Sequence, residues 1–248
     1  MVAAWSLVGF AGLAQANGVA DLKSALARLQ GQGPLKAVVD AKTWSRQGDG
    51  KDAEEAQGHV SVVVEEGVRG LQVLYSKDTL SRLENEERSK ERDAKAKTPT
   101  LSAMNEVNSS ALRPMISAAG SLSRSLEKAI FKSEKADSYN GKPARLLNFA
   151  LSIDKLSEKD RKYVKSFEGS LDVWIAEDGT PYASRLSQTL SGRAFVVVTF
   201  DAKNDDEMVY GLVGDRLVTL KRESRNTSSG MGEKGENRVI RTLQVQSS

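Results

Sequence analysis

The residue pattern with the most recognisable chemistry is Gly230-Met231-Gly232-Glu233-Lys234-Gly235, a G-x-G-x-x-G run. In dinucleotide-binding folds such a run joins a strand to a helix whose N-terminus meets the pyrophosphate, with an acidic residue about 20 positions on. Here strand-like residues 238–244 follow instead, so the run reads as a flexible hairpin loop and no cofactor is expected. The single histidine, His59, stands beside Gly58 at the head of a strand, with Glu54 and Glu55 upstream. The chain has no cysteine, so a zinc site built on His59 would be dominated by carboxylates, which is atypical for that ion. No metal is expected.

Nucleophilic catalysis finds little support. There is no G-x-S-x-G elbow, and any histidine-based triad would have to use His59. Ser125-Leu126-Glu127-Lys128 matches the S-x-x-K of Ser-Lys nucleophiles, but the companion S-D-N and K-T-G elements are absent, and an exposed helix face is the simpler reading. Asp201, Asp205, Asp206 and Glu207 resemble a calcium loop only loosely, because Lys203 occupies a ligand position and the turn glycine is missing; they read as a hairpin tip. Two distant carboxylates could still converge as acid and base, which keeps a hydrolase with dispersed carboxylates as a minor alternative.

The elements that must position these residues follow from periodicity. Val19, Leu22, Ala25, Leu26 and Leu29 lie on one helix face, and Gly31, Gly33 and Pro34 end that helix. Residues 35–44, 58–64 and 68–75 read as an antiparallel meander. Residues 81–97 are dominated by charge with no sustained apolar face, as in an exposed helix or a mobile connector. A long helical stripe follows: Leu101, Met104, Val107, Ala111, Met115, Ala118, Leu122, Leu126 and Ile130. It defines a helical insertion at about 99–132. Pro114 disfavours helix at Arg113, predicting two helices or one sharp kink there.

Beyond the insertion, Tyr139-Asn140-Gly141-Lys142 reads as a turn before a strand over 144–153, and 156–164 as a short helix or loop. Strands are expected over 169–176, 181–190, 194–200, 208–220 and 238–244, with turns at Asp178-Gly179 and Ser191-Gly192. The fold class is α+β: a curved antiparallel sheet or half-barrel with an N-terminal helix and a helical insertion between two groups of strands.

The N-terminus bears on compartment. Residues 1–16, MVAAWSLVGFAGLAQA, carry no charge and end in the small-x-small pattern Ala14-Gln15-Ala16, which predicts a cleavable signal peptide cut after Ala16, although no Lys or Arg follows Met1. The apolar run falls short of the roughly 20 residues a membrane-spanning helix needs, and no later segment is long enough either. Residues 17–248 then read as one β-rich domain. Export without any cysteine points to a bacterial periplasm and to stability from packing rather than cross-links. The 36 positive and 33 negative side chains are interleaved, and aromatic residues are a scattered 6%, so neither a basic footprint nor a base-stacking platform for nucleic acid is present.

An exported chain with a helix at 20–29, strands through Trp44 and 60–75, a helical insertion at 101–131 and a terminal run of strands resembles the Lol-type lipoprotein carriers of the Gram-negative periplasm. The resemblance is architectural. It implies an unclosed β-barrel whose sheet and helical lid enclose an apolar cavity for acyl chains. Read from the residues, Leu101, Met104, Met115, Leu122 and Leu126 must pack against something apolar, most simply the concave face of the sheet, either filling a closed core or lining a ligand cavity. Methionine suits the second case, because its unbranched thioether repacks around different shapes. The expected function is non-enzymatic binding of an apolar or amphipathic envelope ligand, a lipid or lipoprotein acyl chain, by this lid stripe. The alternative is an envelope protein-interaction or scaffold module that meets its partner through a sheet edge or the charged segment.

Overall fold

The computed structural model describes residues 18–153, 158–194, 198–230 and 233–246, so the expected signal peptide lies outside the described residues. The first apolar stripe forms α1 (Gly18–Arg28), which buries Leu22, Ala25 and Leu26. Strict alternation then builds β1 (Leu35–Gln47) and β2 (Glu54–Gly67), with Leu35, Ala37, Val39 and Ala41 of one and Val60, Val62 and Val64 of the other turned to the same covered face. The short β3 (Gly70–Leu74) completes the meander.

The helical insertion comes next: α2 (Lys77–Arg92), α3 (Pro99–Met104), one 3-10 turn at Asn105–Val107, α4 (Ser109–Ile116) and α5 (Ala118–Glu127). Seven strands and a one-turn helix follow: β4 (Ala129–Tyr139), β5 (Lys142–Leu151), α6 (Glu158–Arg161), β6 (Val164–Ile175), β7 (Pro181–Ala194), β8 (Val198–Val213), β9 (Arg216–Gly230) and β10 (Glu233–Val245).

All ten strands form one antiparallel sheet in the order β3-β2-β1-β10-β9-β8-β7-β6-β5-β4. The last strand pairs with the first, which joins the two groups, and β3 and β4 are left as free edges of an unclosed sheet. The chain leaves one edge at β3 and re-enters at the other at β4, so the insertion bridges the two edges across one face. That face is concave. The single helix α4 touches both β3 and β9, four strands apart in the order, although on a flat sheet they would stand about 19 Å apart, wider than a helix of about 10–12 Å. Extra residues opposite a continuous partner help to bend the sheet: Lys132, Lys165, Tyr182 and Leu220 are each passed over in the ladder.

Two apolar clusters fill the space between helices and sheet. One joins α1 (Leu22, Ala25, Leu26) and α5 (Leu122, Leu126) to Leu147, Phe149, Leu171, Val173 and Ile175. The other joins α3 and α4 (Ala103, Leu112, Met115, Ile116) to β1, β2 and Leu243.

Several boundaries differ from the sequence reading. The helical spacing continues through Ile130, but the helix stops at Glu127 and Ile130 and Phe131 belong to the start of β4; both are exposed, and Phe131 packs edge-on against Phe149 at 5.7 Å. The insertion does break, yet not at Pro114, which lies inside α4: the break falls at Ser117, with φ −137° and ψ 57°. The predicted strand over 208–220 is two strands joined at Gly214-Asp215, and Ser191-Gly192 lies within β7 rather than in a turn. Of the strand expected over 194–200, residues 195–197 lie outside the described residues. The Asn140-Gly141 turn forms as read, with both residues at positive φ (50° and 77°), the geometry that matches hairpin twist.

Candidate functional site

The five lid-stripe residues divide between the clusters. Met115 is buried with the β1–β2 group and Met104 packs at its margin, whereas Leu122 and Leu126 are buried with α1 and β5–β6. Leu101 is half-buried and belongs to neither. These side chains therefore make the helical layer adhere to the sheet, and none of them lines the pockets described below.

At the end of this apolar layer, the concave face becomes polar along a line of buried charges. Pleat alternation puts Asp206, Met208 and Tyr210 of β8 on the covered face, and the antiparallel ladders set Asp206 opposite Ser224, Met208 opposite Arg222, and Arg222 opposite Arg241. Asp206 is 4% exposed and accepts two bonds from Arg222 Nε (2.9 and 3.1 Å), one from Nη2 (2.6 Å) and one from Ser224 Oγ (2.9 Å). Burial works against the Arg222 charge, but the Asp206 carboxylate more than offsets it, so the guanidinium is held more firmly protonated than usual. The Tyr210 hydroxyl lies 2.7 Å from Ser184 Oγ and donates to Met208 Sδ at 3.5 Å; burial, reinforced by Asp206, pushes its pKa up and keeps it neutral.

Arg241 is the neighbouring cation, 8% exposed on β10. Its Nη2 donates to Glu106 in the 3-10 turn of the insertion, while its Nε and Nη1 are buried without a partner among the described residues. Buried donors without acceptors are uncommon, because each costs its full desolvation. The Arg241–Glu106 contact is also the ion pair that ties this turn of the helical layer to the sheet.

Immediately beyond it lies an open trough of about 380 Å³, lined by Thr43, Ser45, Gln47, Ser102, Glu106, Asn226, Ser228, Gly235, Glu236 and Asn237. Most of these groups are neutral hydroxyls and amides at successive concave positions of β1, β9 and β10. The insertion reaches the trough because α3 can lie directly on β2 at Gly58, where a Cβ would sit 2.5 Å from the Pro99 carbonyl and from Thr43 Oγ1.

The convex face is different in kind. A groove of about 780 Å³ runs among Lys42, Trp44, His59, Arg225, Arg238 and Ile240 and reaches Gly58 and Pro99 at its margin. His59 is exposed inside β2 rather than at its head, with Nε2 3.4 Å from Asp40 Oδ1. No group of three or more metal-ligating side chains is gathered among the described residues. Alongside, Glu223 accepts bonds from Arg225 and Arg238; burial opposes its charge, but these donors and Lys221 outweigh that and pull the carboxyl down to about 2.

The remaining sequence candidates scatter. Ser125 Oγ donates to the Ser121 carbonyl at 3.3 Å within α5, whose cap is Lys128. The acidic stretch is no hairpin tip but the middle of β8, which sends Asp205 to the convex face beside Lys203 and Asp206 to the concave one. The glycine run closes the β9–β10 hairpin, with Glu233 opposite Gly230, strand on both sides and no helix to receive a phosphate; Met231 and Gly232 lie outside the described residues. Arg222, Ser224 and Arg241 were missed by motif reasoning. One signal was available: Arg241 falls in the same alternation phase as Val239 and Leu243, a charge where the strand pattern calls for core. No known protein family, no curated protein and no solved structure matches the chain.

Proposed function

We propose that the protein is a non-enzymatic binder of an amphipathic molecule of the bacterial envelope, acting in the periplasm after export. The apolar part of the ligand enters between the helical layer and the sheet by parting the clusters packed there, and its polar part rests in the trough. The observation that carries this reading is the change of chemistry along one concave face: an apolar layer under α4 and α5 meets an open polar trough at the Arg241–Glu106 pair. An amphiphile has the same two-part surface. An unclosed antiparallel sheet bridged edge to edge by helices also supports the resemblance to Lol-type carriers. No helix among the described residues is long and apolar enough to cross a membrane.

The two concave carboxylates of the seam, Asp206 and Glu106, are both engaged by arginines, which suits a structural role better than acid–base work. The test is uptake of an environment-sensitive amphiphilic dye, such as N-phenylnaphthylamine, by the wild-type protein and by Ser45→Trp, which fills the trough with an aromatic ring. Uptake by the wild type and at least a tenfold weaker response in the variant are expected; equal uptake by both would move the ligand elsewhere, and no uptake by either would remove the reading.

A second reading, an envelope protein-interaction module, has one specific observation behind it. β4 is an 11-residue edge strand that exposes Ile130 and Phe131 beside an open ladder, the arrangement that accepts an added strand from a partner. It expects a periplasmic cross-linking partner that Ile130→Lys abolishes.

A further inference from the structure

We propose that Arg241 is an anion-receiving site, and that it takes the phosphate or carboxylate headgroup of an acidic amphiphile in the place now occupied by Glu106. The inference rests on the amphiphile reading and narrows it to a ligand class.

Arg241 presents a planar fork of five N–H donors, the geometry suited to bidentate oxyanion recognition. Among the described residues only Nη2 is engaged, by Glu106, while Nε and Nη1 are buried without a partner on a side chain of the concave face. Two residues back along β10 on that face is Val239, and two further is Asn237, which lines the trough. The neighbouring guanidinium, Arg222, is already matched by Asp206, so of the two it is Arg241 that has N–H donors without acceptors among the described residues.

Glu106 is the replaceable partner. It belongs to a three-residue turn between α3 and α4, and it lines the trough from the helical side, whereas Arg241 is fixed in the middle of the sheet by ladders on both flanks. Exchange of one carboxylate for another anion leaves the buried charge balanced, which is the condition for a charge to stay out of water. A headgroup that takes the place of Glu106 would stand at the wall of the trough that Glu106 lines, with Ser45, Asn226, Ser228 and Asn237 there for its remaining polar atoms.

The experiment is calorimetric titration of the full chain with three probes: lauryl phosphate, lauryl maltoside and inorganic phosphate. The same titrations are run on Arg241→Gln, Arg241→Lys and Glu106→Gln. The expected results are lauryl phosphate bound about tenfold or more tightly than lauryl maltoside, loss of that preference in Arg241→Gln and partial retention in Arg241→Lys. Glu106→Gln removes the competing carboxylate and should tighten lauryl phosphate several-fold and raise the melting temperature more on phosphate addition than in the wild type.

If Arg241→Gln keeps the preference, or Glu106→Gln weakens phosphate binding, the anion site is overturned while amphiphile binding stands. Should Arg241→Gln fail to fold, the Glu106→Gln result decides alone. Inorganic phosphate bound as tightly as lauryl phosphate would overturn the lipid source and leave a free-anion site. If neither lauryl compound binds, the amphiphile reading itself falls.

Discussion

Arg216 reaches from the start of β9 beneath the connection between α1 and β1, where Nε donates to the Gly31 carbonyl at 2.9 Å, Nη2 to the Gly33 carbonyl at 2.7 Å and Nη1 to Glu66. It is 3% exposed, so replacement by methionine would fill its volume yet leave Glu66 and both carbonyls without their donor. A loss of about 3–5 kcal/mol is expected, measured as a shift of the urea midpoint; a change below about 1 kcal/mol would mean that solvent replaces the arginine. Glu223 offers a test by pH. Its carboxyl is lowered from 4.5 to about 2 in the folded chain, so the group contributes stability above the unfolded value and loses that contribution as pH falls through the folded one. Glu223→Gln should therefore melt below the wild type at neutral pH, with the gap closing between about 4.5 and about 2; a gap constant across that window would contradict the assignment. Little of this was legible from residue types, because Arg216, Arg222 and Arg241 look like surface charges; only Arg241, in phase with Val239 and Leu243 on β10, carries a signal in the strand pattern.

The charged helix α2 shows how an exposed element can still position the site. It buries only Thr79, yet its Glu86 accepts from the Thr100 N–H at 3.0 Å and the Leu101 N–H at 2.9 Å, capping α3 where Thr98 supplies no side-chain bond. Glu86→Ala should cost about 1 kcal/mol and speed amide exchange in α3 before it affects the sheet. Unchanged exchange at Thr100 and Leu101 would show that the cap does not hold. Where α3 meets β2, Gly58→Val would drive a side chain into the Pro99 carbonyl and Thr43. A destabilisation of about 1–3 kcal/mol, with loosened α3, is expected from thermal melts. Period-based reading found α1, the first strands and the helical insertion, since each carries its own apolar phase. It failed at Ile130 and Phe131 because they continue a helical spacing by coincidence while their backbone pairs with β5. Pro114 disfavours helix at Arg113, yet α4 runs past it to Ile116 and breaks only at Ser117, so the proline marks the second half of a short helix rather than its end.

At the scale of the whole molecule, a helical bridge spans the open side of a single curved sheet, and both free edges feed into that bridge. The class of fold was legible from the order of elements, but the pairing of β10 with β1 was not. That contact joins segments such as Ala37 and Val245, which no local pattern relates, and it alone decides that the two strand groups share one concave face. Only when they share it do Arg241, Glu106 and the trough come together. The most direct test of amphiphile binding is mass spectrometry of an organic extract of the protein purified from a bacterial periplasm without detergent. The account expects a stoichiometric amphiphile with an anionic headgroup, depleted in Ser45→Trp and Arg241→Gln. An empty wild-type protein, still empty after incubation with an envelope extract, would contradict it and leave the helical layer as ordinary core.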